Sequence, residues 1–523
     1  MNGDPIDGVT RREVLKRAGG VVLLTSAAAG GSVQTPEPPT ISPYDFGASG
    51  DGRADDTQAL RAALRAAVAT GNTLDLRSGI YRVTGSCVAE GDLHLINTGR
   101  AVIHAAPGHY ADIGVLVVRG SASRVGGLAH PAPAGGKRLI VDHRAAFVAG
   151  DLGTVFDPTD GSFSRFRRYY RAGEFFQVAG VDDETVELVR PLYAGYRAGT
   201  VDLYRIRPAA GSLRDVIITS EGAPASLIYI DYARGLTITN PRLRQANNDC
   251  ILVNRSVECR IEAPDAINTG NGGDDYGIVW SNCQDCSIHG GTIYGRRHAI
   301  AHGGNDQANS VPCRNMQIGG NATLRNDPRS NTHCADFHGN CEDCMIADCA
   351  ITGGVGMGGK NNRVVRSVVH SMANGVAVLA FEVIGGRYEM LGNTFHIDSD
   401  PQAATRGAID FGGNAVAISA DTTENLTVVV RDCEFDSAVL SDDSRLLNVR
   451  NRGATIKLNV DFSNNRLQLN RLGMVVYMDL VRGTGAAAAS DFITVTGNTG
   501  AAPGSTLYYA DGDYSRLRGV RAL

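Results

Sequence analysis

Long apolar runs are scarce in this 523-residue chain, and the run from Ala18 to Ala29 is too short to span a bilayer comfortably. No stable membrane span is therefore expected. Aromatic residues make up only 6% while glycine reaches 64 residues, which suits many turns and thin strands and argues against a helical bundle. Excess charge is also small: the formal net charge of −5 gives no basis for a nucleic-acid partner. Lysine occurs at only four positions, Lys16, Lys137, Lys360 and Lys457, among 50 basic residues, so Lys360 is the one lysine available to the repeating centre of the chain. The eleven cysteines are an odd number, which excludes a complete disulfide framework within one chain. Length alone would suggest several domains. Elongated repeat folds escape that rule, because each repeat contacts only its neighbours.

What is present begins with Thr10-Arg11-Arg12-Glu13-Val14-Leu15-Lys16, which resembles the twin-arginine export signal, followed by the apolar run and the small residues Ser26-Ala27-Ala28-Ala29. The expectation is a signal peptide over 1–30, a Pro-rich leader over 31–43, and export to the periplasm, cell surface or medium. An exposed amphipathic helix and a virion-attachment segment are the alternatives.

Next comes Tyr44-Asp45-Phe46-Gly47-Ala48-Ser49-Gly50-Asp51-Gly52-Arg53-Ala54-Asp55-Asp56-Thr57. Asp51-Gly52 is turn chemistry. Asp55-Asp56-Thr57 can cap a helix whose stripe is Ala59, Leu60, Ala63, Leu64 and Ala67. Thr73–Leu76 and Gly79-Ile80-Tyr81-Arg82-Val83 read as strands. This opening resembles the pectate-lyase-like superfamily of right-handed parallel β-helices, which includes polysaccharide lyases, glycoside hydrolases, mannuronan epimerases and phage tailspike depolymerases. The resemblance implies an all-β solenoid with an N-terminal capping helix, and structural rather than catalytic roles for these acids. The cap and first coils are expected over 44–136.

Residues 137–208 alternate apolar and polar positions, as in Thr185–Val189 and Val201–Ile206, and read as a small inserted antiparallel β subdomain. Its Arg165, Arg167, Arg168, Arg171, Tyr169 and Tyr170 are either a solvated face or a contact for an acidic glycan. From 209 to 460 short strands recur. The first of each coil aligns at Ile251, Ile278, Ile300, Ala335, Val355, Val376 and Ile409, with spacings of 27, 22, 35, 20, 21 and 33. Long spacings must carry loops. A second column is Ile261, Ile288, Ile318 and Ile346, and a third is Ile293, Leu324 and Ile351. Three strands per coil describe a parallel β-helix. Coils and a closing cap are expected over 461–523. Cys283-x-x-Cys286 and Cys341-x-x-Cys344 have zinc-site spacing. However, Cys259, Cys286 and Cys344 each stand two residues before a core Ile, the parity of an inward ladder of small hydrophobes. Asn282, Asn305, Asn340, Asn361 and Asn414 read as a ladder of turn residues.

A β-helix that binds glycan on its outer face needs outward chemistry. In Ala335-Asp336-Phe337-His338 the apolar pair faces in, so Asp336 and His338 face out together as acid–base partners. His298 and Arg297 precede the strand of the previous coil and join them as candidate catalytic residues. Asp249, Asp275, Tyr276, His333, His302 and Lys360 are candidate substrate-binding residues, although His302 shares the inward parity of Ile300. Asp336-Phe337-His338 is similar to the Asp-x-His of mannuronan epimerases. Asn247-Asn248-Asp249, Asp274-Asp275 and Arg297-His298-Ala299 have coil spacing like the polygalacturonase acids, but the Gly-His-Gly and Arg-x-Lys of those enzymes are absent. The residues point to an enzyme acting on a polysaccharide, an acidic one by preference, as lyase ahead of hydrolase. A tailspike-type depolymerase, an epimerase and a non-catalytic glycan-binding β-helix are the alternatives. No cofactor is required by the sequence. Calcium is common among relatives, but no dense acidic cluster demands it. The assembly is expected to be a monomer or a homotrimer.

Overall fold

The computed structural model describes residues 39–522 except 143–146, 160, 162–169, 183–184, 223, 271–274, 305–307, 331, 399–413, 421–423, 441–444, 452–457, 470–473, 481–491, 501–505 and 511–520. The expected export signal and most of the expected leader, with Asp274, Asn305, Ile409, Arg165, Arg167, Arg168 and Tyr169, lie outside the described residues. No helix among the described residues is long and apolar enough to cross a membrane.

Parallel strands stack coil upon coil, each paired in register with its counterpart one turn later, to build a right-handed parallel β-helix. The cause is visible in the alternation of single strands. Along Tyr276–Ser281, Ile278 and Trp280 point inward and are buried, while Val279 between them faces out. Stacking repeats this choice: Ile251 pairs with Ile278, Ile278 with Ile300, Ile300 with Ala335 and Ala335 with Val355. The columns Ile261–Ile288–Ile318–Ile346 and Ile293–Leu324–Ile351 form as expected. The first column differs at one step, because Val355 pairs with Val378 and not Val376, and Val378 continues to Val416. Val376 and Val378 share parity, so alternation alone could not separate them.

The N-terminal end is closed by the helix Thr57–Thr70, which buries Leu60, Ala63, Leu64 and Ala67. Asp56 occupies its N-cap position without capping it. Its carboxylate instead accepts the amides of Ser49 (2.6 Å) and Gly50 (3.1 Å), tying down the loop before it. Asp55 accepts the Thr57 amide at 3.1 Å and the Thr84 hydroxyl at 2.7 Å. These acids are used up in holding the cap. At the far end every described strand, through Thr506–Ala510 and Arg521–Ala522, continues the parallel ladder.

All eleven cysteines are free and buried. Cys259, Cys286 and Cys344 point inward, with thiols directed at backbone carbonyls. The asparagine reading changes in part. Asn282 and Asn361 adopt left-handed turns, but Asn414 lies in a strand. Asn361 accepts the Arg387 amide of the next coil at 2.9 Å and Asn282 donates to Asn254 Oδ1 of the preceding coil at 2.9 Å, while Asn362, Asn393, Asn465 and Asn498, outside the expected set, bond the backbone of neighbouring coils.

The insertion is a six-stranded antiparallel sheet in the order Arg138–Ile140, Thr185–Leu188, Ala172–Val181, Leu152–Asp157, Asp202–Arg207 and Ser121–Gly126. It starts before the change of texture at 137, because Ser121–Gly126 supplies an edge strand whose polar residues carry no apolar alternation. Its own core holds Leu139, Val155, Phe176, Val178, Val186 and Leu203. The sheet also docks on the coils: the Phe175 amide donates to Gln284 Oε1 at 3.0 Å, and the Arg314 guanidinium lies 3.8 Å over the Tyr193 ring.

Candidate active site

The strand Ala335–Phe337 lies between His298–Gly303 and Val355–Met357, so the outer-face column at its centre reads Ala301, Asp336, Gly356. Asp336 points outward, as parity requires, but is only 3% exposed. Three imidazoles crowd its carboxylate. His338 Nε2 is 2.9 Å from Oδ2, His298 Nε2 is 3.8 Å from the same oxygen, and His333 Nδ1 is 3.8 Å from Oδ1. Oδ1 has no hydrogen-bond partner. Space for this cluster comes from two glycines. A Cβ on Gly356 would stand 2.3 Å from Asp336 Oδ1, and one on Gly303 would stand 2.8 Å from His338 Nδ1.

Burial would raise the Asp336 pKa. The neighbouring imidazoles, His338 first, outweigh it and hold the carboxyl well below the usual range. Burial pushes His298 down to about 4 against the pull of Asp336, and it lowers His333 as well. Near neutral pH the centre is thus an ionised Asp336 beside two neutral imidazoles. Asp336 accepts the Nε2–H of His338, so Nδ1 is the basic nitrogen of that ring. The His338 side chain retains 14% exposure and is the member of the pair that reaches solvent.

The other expected residues divide. Tyr276 stacks on His298 with ring centroids 5.2 Å apart at 10°, and the Arg297 guanidinium sits 5.7 Å over Tyr276. His298 donates from Nδ1 to the His333 carbonyl oxygen. These residues join the Asp336 cluster. Five expectations of substrate contact are corrected. Asp249 is buried and accepts a hydrogen bond from Ser226 Oγ at 3.1 Å. Asp275 is fully buried and ion-paired with Arg296 at 2.6 Å, so it orders the turn before His298. His302 lies inside the coil, edge-on to Phe337 at 4.7 Å, with neither ring nitrogen hydrogen-bonded, and burial drives it down to about 3. Lys360 is held 2.9 Å from Glu424. His333 is 7% exposed and stacks on Phe381 at 5.6 Å, so it supports the cluster and does not face a ligand.

Three residues at the site escaped sequence reasoning: Phe381, Glu382 and, as part of the site, Tyr170. The Tyr170 hydroxyl donates to Glu382 Oε2 at 2.7 Å, and the Gly339 amide donates to both oxygens, at 3.1 and 3.2 Å. Tyr170 is 3% exposed and therefore not part of a solvated face. The only sequence sign of Glu382 is a carboxylate interrupting the apolar run Val376–Val383. Calcium, which takes six to eight oxygen ligands, does not fit a centre of one carboxylate among imidazole nitrogens. Among the described residues no group of three or more His, Cys, Asp or Glu side chains is placed so that it could hold a metal ion.

The profile of the Gp49, pectin lyase-like family matches residues 245–502, a span that contains the whole Asp336 cluster. None of the curated proteins matches this chain. Among solved structures, the tailspike protein gp49 of Pseudomonas phage LKA1 is 30% identical, with 91% of this chain and 84% of that one covered at a TM-score of 0.78. The gp54 tailspike of Acinetobacter baumannii bacteriophage AP22, solved with A. baumannii capsular saccharide, is 22% identical over 90% of this chain and 76% of its own, with a TM-score of 0.76. The Pseudomonas phage phi297 tailspike gp61 is likewise 22% identical, over 91% and 83%, with a TM-score of 0.77. The last two likenesses speak for the fold alone. With the first and the coil register taken together, this chain belongs to the Gp49 pectin lyase-like family of the pectate-lyase-like parallel β-helix superfamily.

Proposed function

We propose that this protein depolymerises a bacterial surface polysaccharide by acid–base chemistry on the outer face of the coils, with β-elimination at a uronate as the reaction. The observation that carries this reading is the 2.9 Å contact between Asp336 Oδ2 and His338 Nε2 on an outward strand position. Asp336 orients the ring through the 2.9 Å contact with Nε2. His338 Nδ1 takes the proton beside the uronate carboxylate, the electron pair forms the new C=C bond, and the glycosidic oxygen departs and is protonated. Arg297, at the edge of the Tyr276–His298 stack, offsets the charge that develops on the carboxylate. The choice of a capsule-like substrate is supported by the tailspike relatives, one of them solved with capsular saccharide. A hydrolytic reading has one observation in its favour, since Glu382 brings a second carboxylate to the residue after His338.

A panel of capsular and other anionic polysaccharides, read in parallel for the ultraviolet absorbance of unsaturated uronates and for new reducing ends, separates these readings. The expected result is absorbance and reducing ends together. His338→Ala and Asp336→Asn should each lower turnover by roughly 100- to 10,000-fold. Reducing ends without absorbance would replace elimination by hydrolysis. Binding with neither signal would leave a glycan-binding β-helix. Export through the N-terminal signal belongs to the same proposal, and mass spectrometry of the mature protein should find a new N-terminus near Gly30. An intact N-terminus on particles that carry the protein would favour a virion tailspike.

A further inference from the structure

The strand Val378–Leu391 does not run evenly beside its neighbours. Between Leu379 and Val383 it spends one residue more than the preceding coil uses between Gly356 and Gly359, and between Ala380 and Val383 one more than the following coil uses between Ile418 and Ala420. The extra residue is a β-bulge, a device that re-aims side chains beside a site. Phe381 and Glu382 occupy it. Glu382 has φ +56, a left-handed conformation that disfavours a side-chain-bearing residue by about 1–2 kcal/mol. Strain of this kind persists where surrounding contacts hold it, and both bulge residues are so held. Phe381 stacks on His333, and Glu382 accepts the Gly339 amide and the Tyr170 hydroxyl. Tyr170 comes from the insertion, 212 residues away in sequence, and its hydroxyl also accepts from Gly339.

We propose that Tyr170 and Glu382 form a clamp on the His338–Gly339 peptide that positions His338 against Asp336, so that the inserted subdomain is part of the acid–base site. This rests on the reading of His338 as the reacting base. Neither residue needs to touch the substrate. The insertion contributes by fixing the peptide that follows the base, and the bulge contributes by turning a carboxylate toward a neighbouring coil. A ring displaced by even 1 Å loses most of the benefit of alignment, which is the reason to hold it from two directions.

Hydrogen exchange of the full chain, followed on peptides that contain Gly339, tests the clamp without any substrate. Exchange at Gly339 should accelerate in Tyr170→Phe and Glu382→Ala and return towards the wild-type rate in Glu382→Gln, whose amide oxygen can still accept. Thermal midpoints report whether each variant is folded. On a glycan that the wild type cleaves, the first two variants should lose roughly 10- to 100-fold in kcat at little change in KM, with recovery in Glu382→Gln. Unchanged exchange in both Tyr170→Phe and Glu382→Ala overturns the clamp. Faster exchange with wild-type kcat overturns its role in positioning. If the wild type cleaves no glycan, the functional reading fails by itself, while the exchange data still decide whether the clamp exists.

Discussion

Ala335 and Phe337 point into the coil and Asp336 points out of it, yet all three are buried. The inner pair is buried by repetition. Phe337 lies in register between His302 and Met357 of the adjoining coils, and the same choice recurs along the column. Asp336 is buried by convergence, since imidazoles from positions 298, 333 and 338 close in on one carboxylate. The lesson is that burial alone does not separate core from site in this fold. Polar satisfaction helps, but it needs the direction as well. Outside, the open Asp336 Oδ1 belongs to a charged cluster that reaches solvent through His338. Inside, the two open nitrogens of His302 face only core.

Breaking the inner face should give the largest effect on stability. Phe337→Ala is expected to destabilise the coils by about 3–5 kcal/mol, as large aromatic deletions in cores do, with a lowered urea midpoint. A smaller loss than that of a surface substitution would show that the inner stack is not what holds this strand.

Acid should act on both faces through the histidines. The folded values of His298 and His302, about 4 and about 3, lie below the ordinary unfolded value of about 6.5. Between these limits the unfolded chain binds protons that the folded chain refuses. Stability is therefore complete above about pH 6.5 and falls as the pH drops towards 4, with His298 contributing on the order of 3 kcal/mol. Asp336 has a depressed value, so its contribution is present above about pH 4 and is lost only at lower pH; it adds nothing to this window. Urea midpoints measured from pH 8 to pH 4.5 should slope downward towards acid. In His302→Leu the slope should flatten, and stability at neutral pH should rise by about 1–3 kcal/mol because two unpaired buried nitrogens are gone. A flat profile in the wild type would contradict neutral buried histidines.

The smallest effect is expected at Lys360. Its pair with Glu424 is partly exposed on both sides, at 30% and 49%. Lys360→Ala should change stability by less than about 1 kcal/mol and leave turnover within a factor of two. A large loss of turnover would return Lys360 to the site.

The cysteine and isoleucine ladders were legible because parity and coil spacing agree at Cys259–Ile261, Cys286–Ile288 and Cys344–Ile346. The slip from Val378 to Val376 was not avoidable from alternation, since a two-residue shift keeps every side chain on its face. Asp249 and Asp275 looked like the outward acids of related enzymes, but an Arg two residues before His298 and a Ser one coil earlier engage them.

Sequence by itself determined the coil. A period of two within strands and a repeat of about one coil between them leave little choice of fold, because each short strand can bury its face only against its own counterpart. It also determined which side of the strand Asp336 and His338 occupy. Tertiary structure decided how deeply Asp336 is covered, that His298 and His333 share it, and that Tyr170 and Glu382 reach Gly339. Those contacts depend on a bulge and on a docked insertion, and neither leaves a period in the sequence, since each brings together residues from coils and subdomains far apart along the chain.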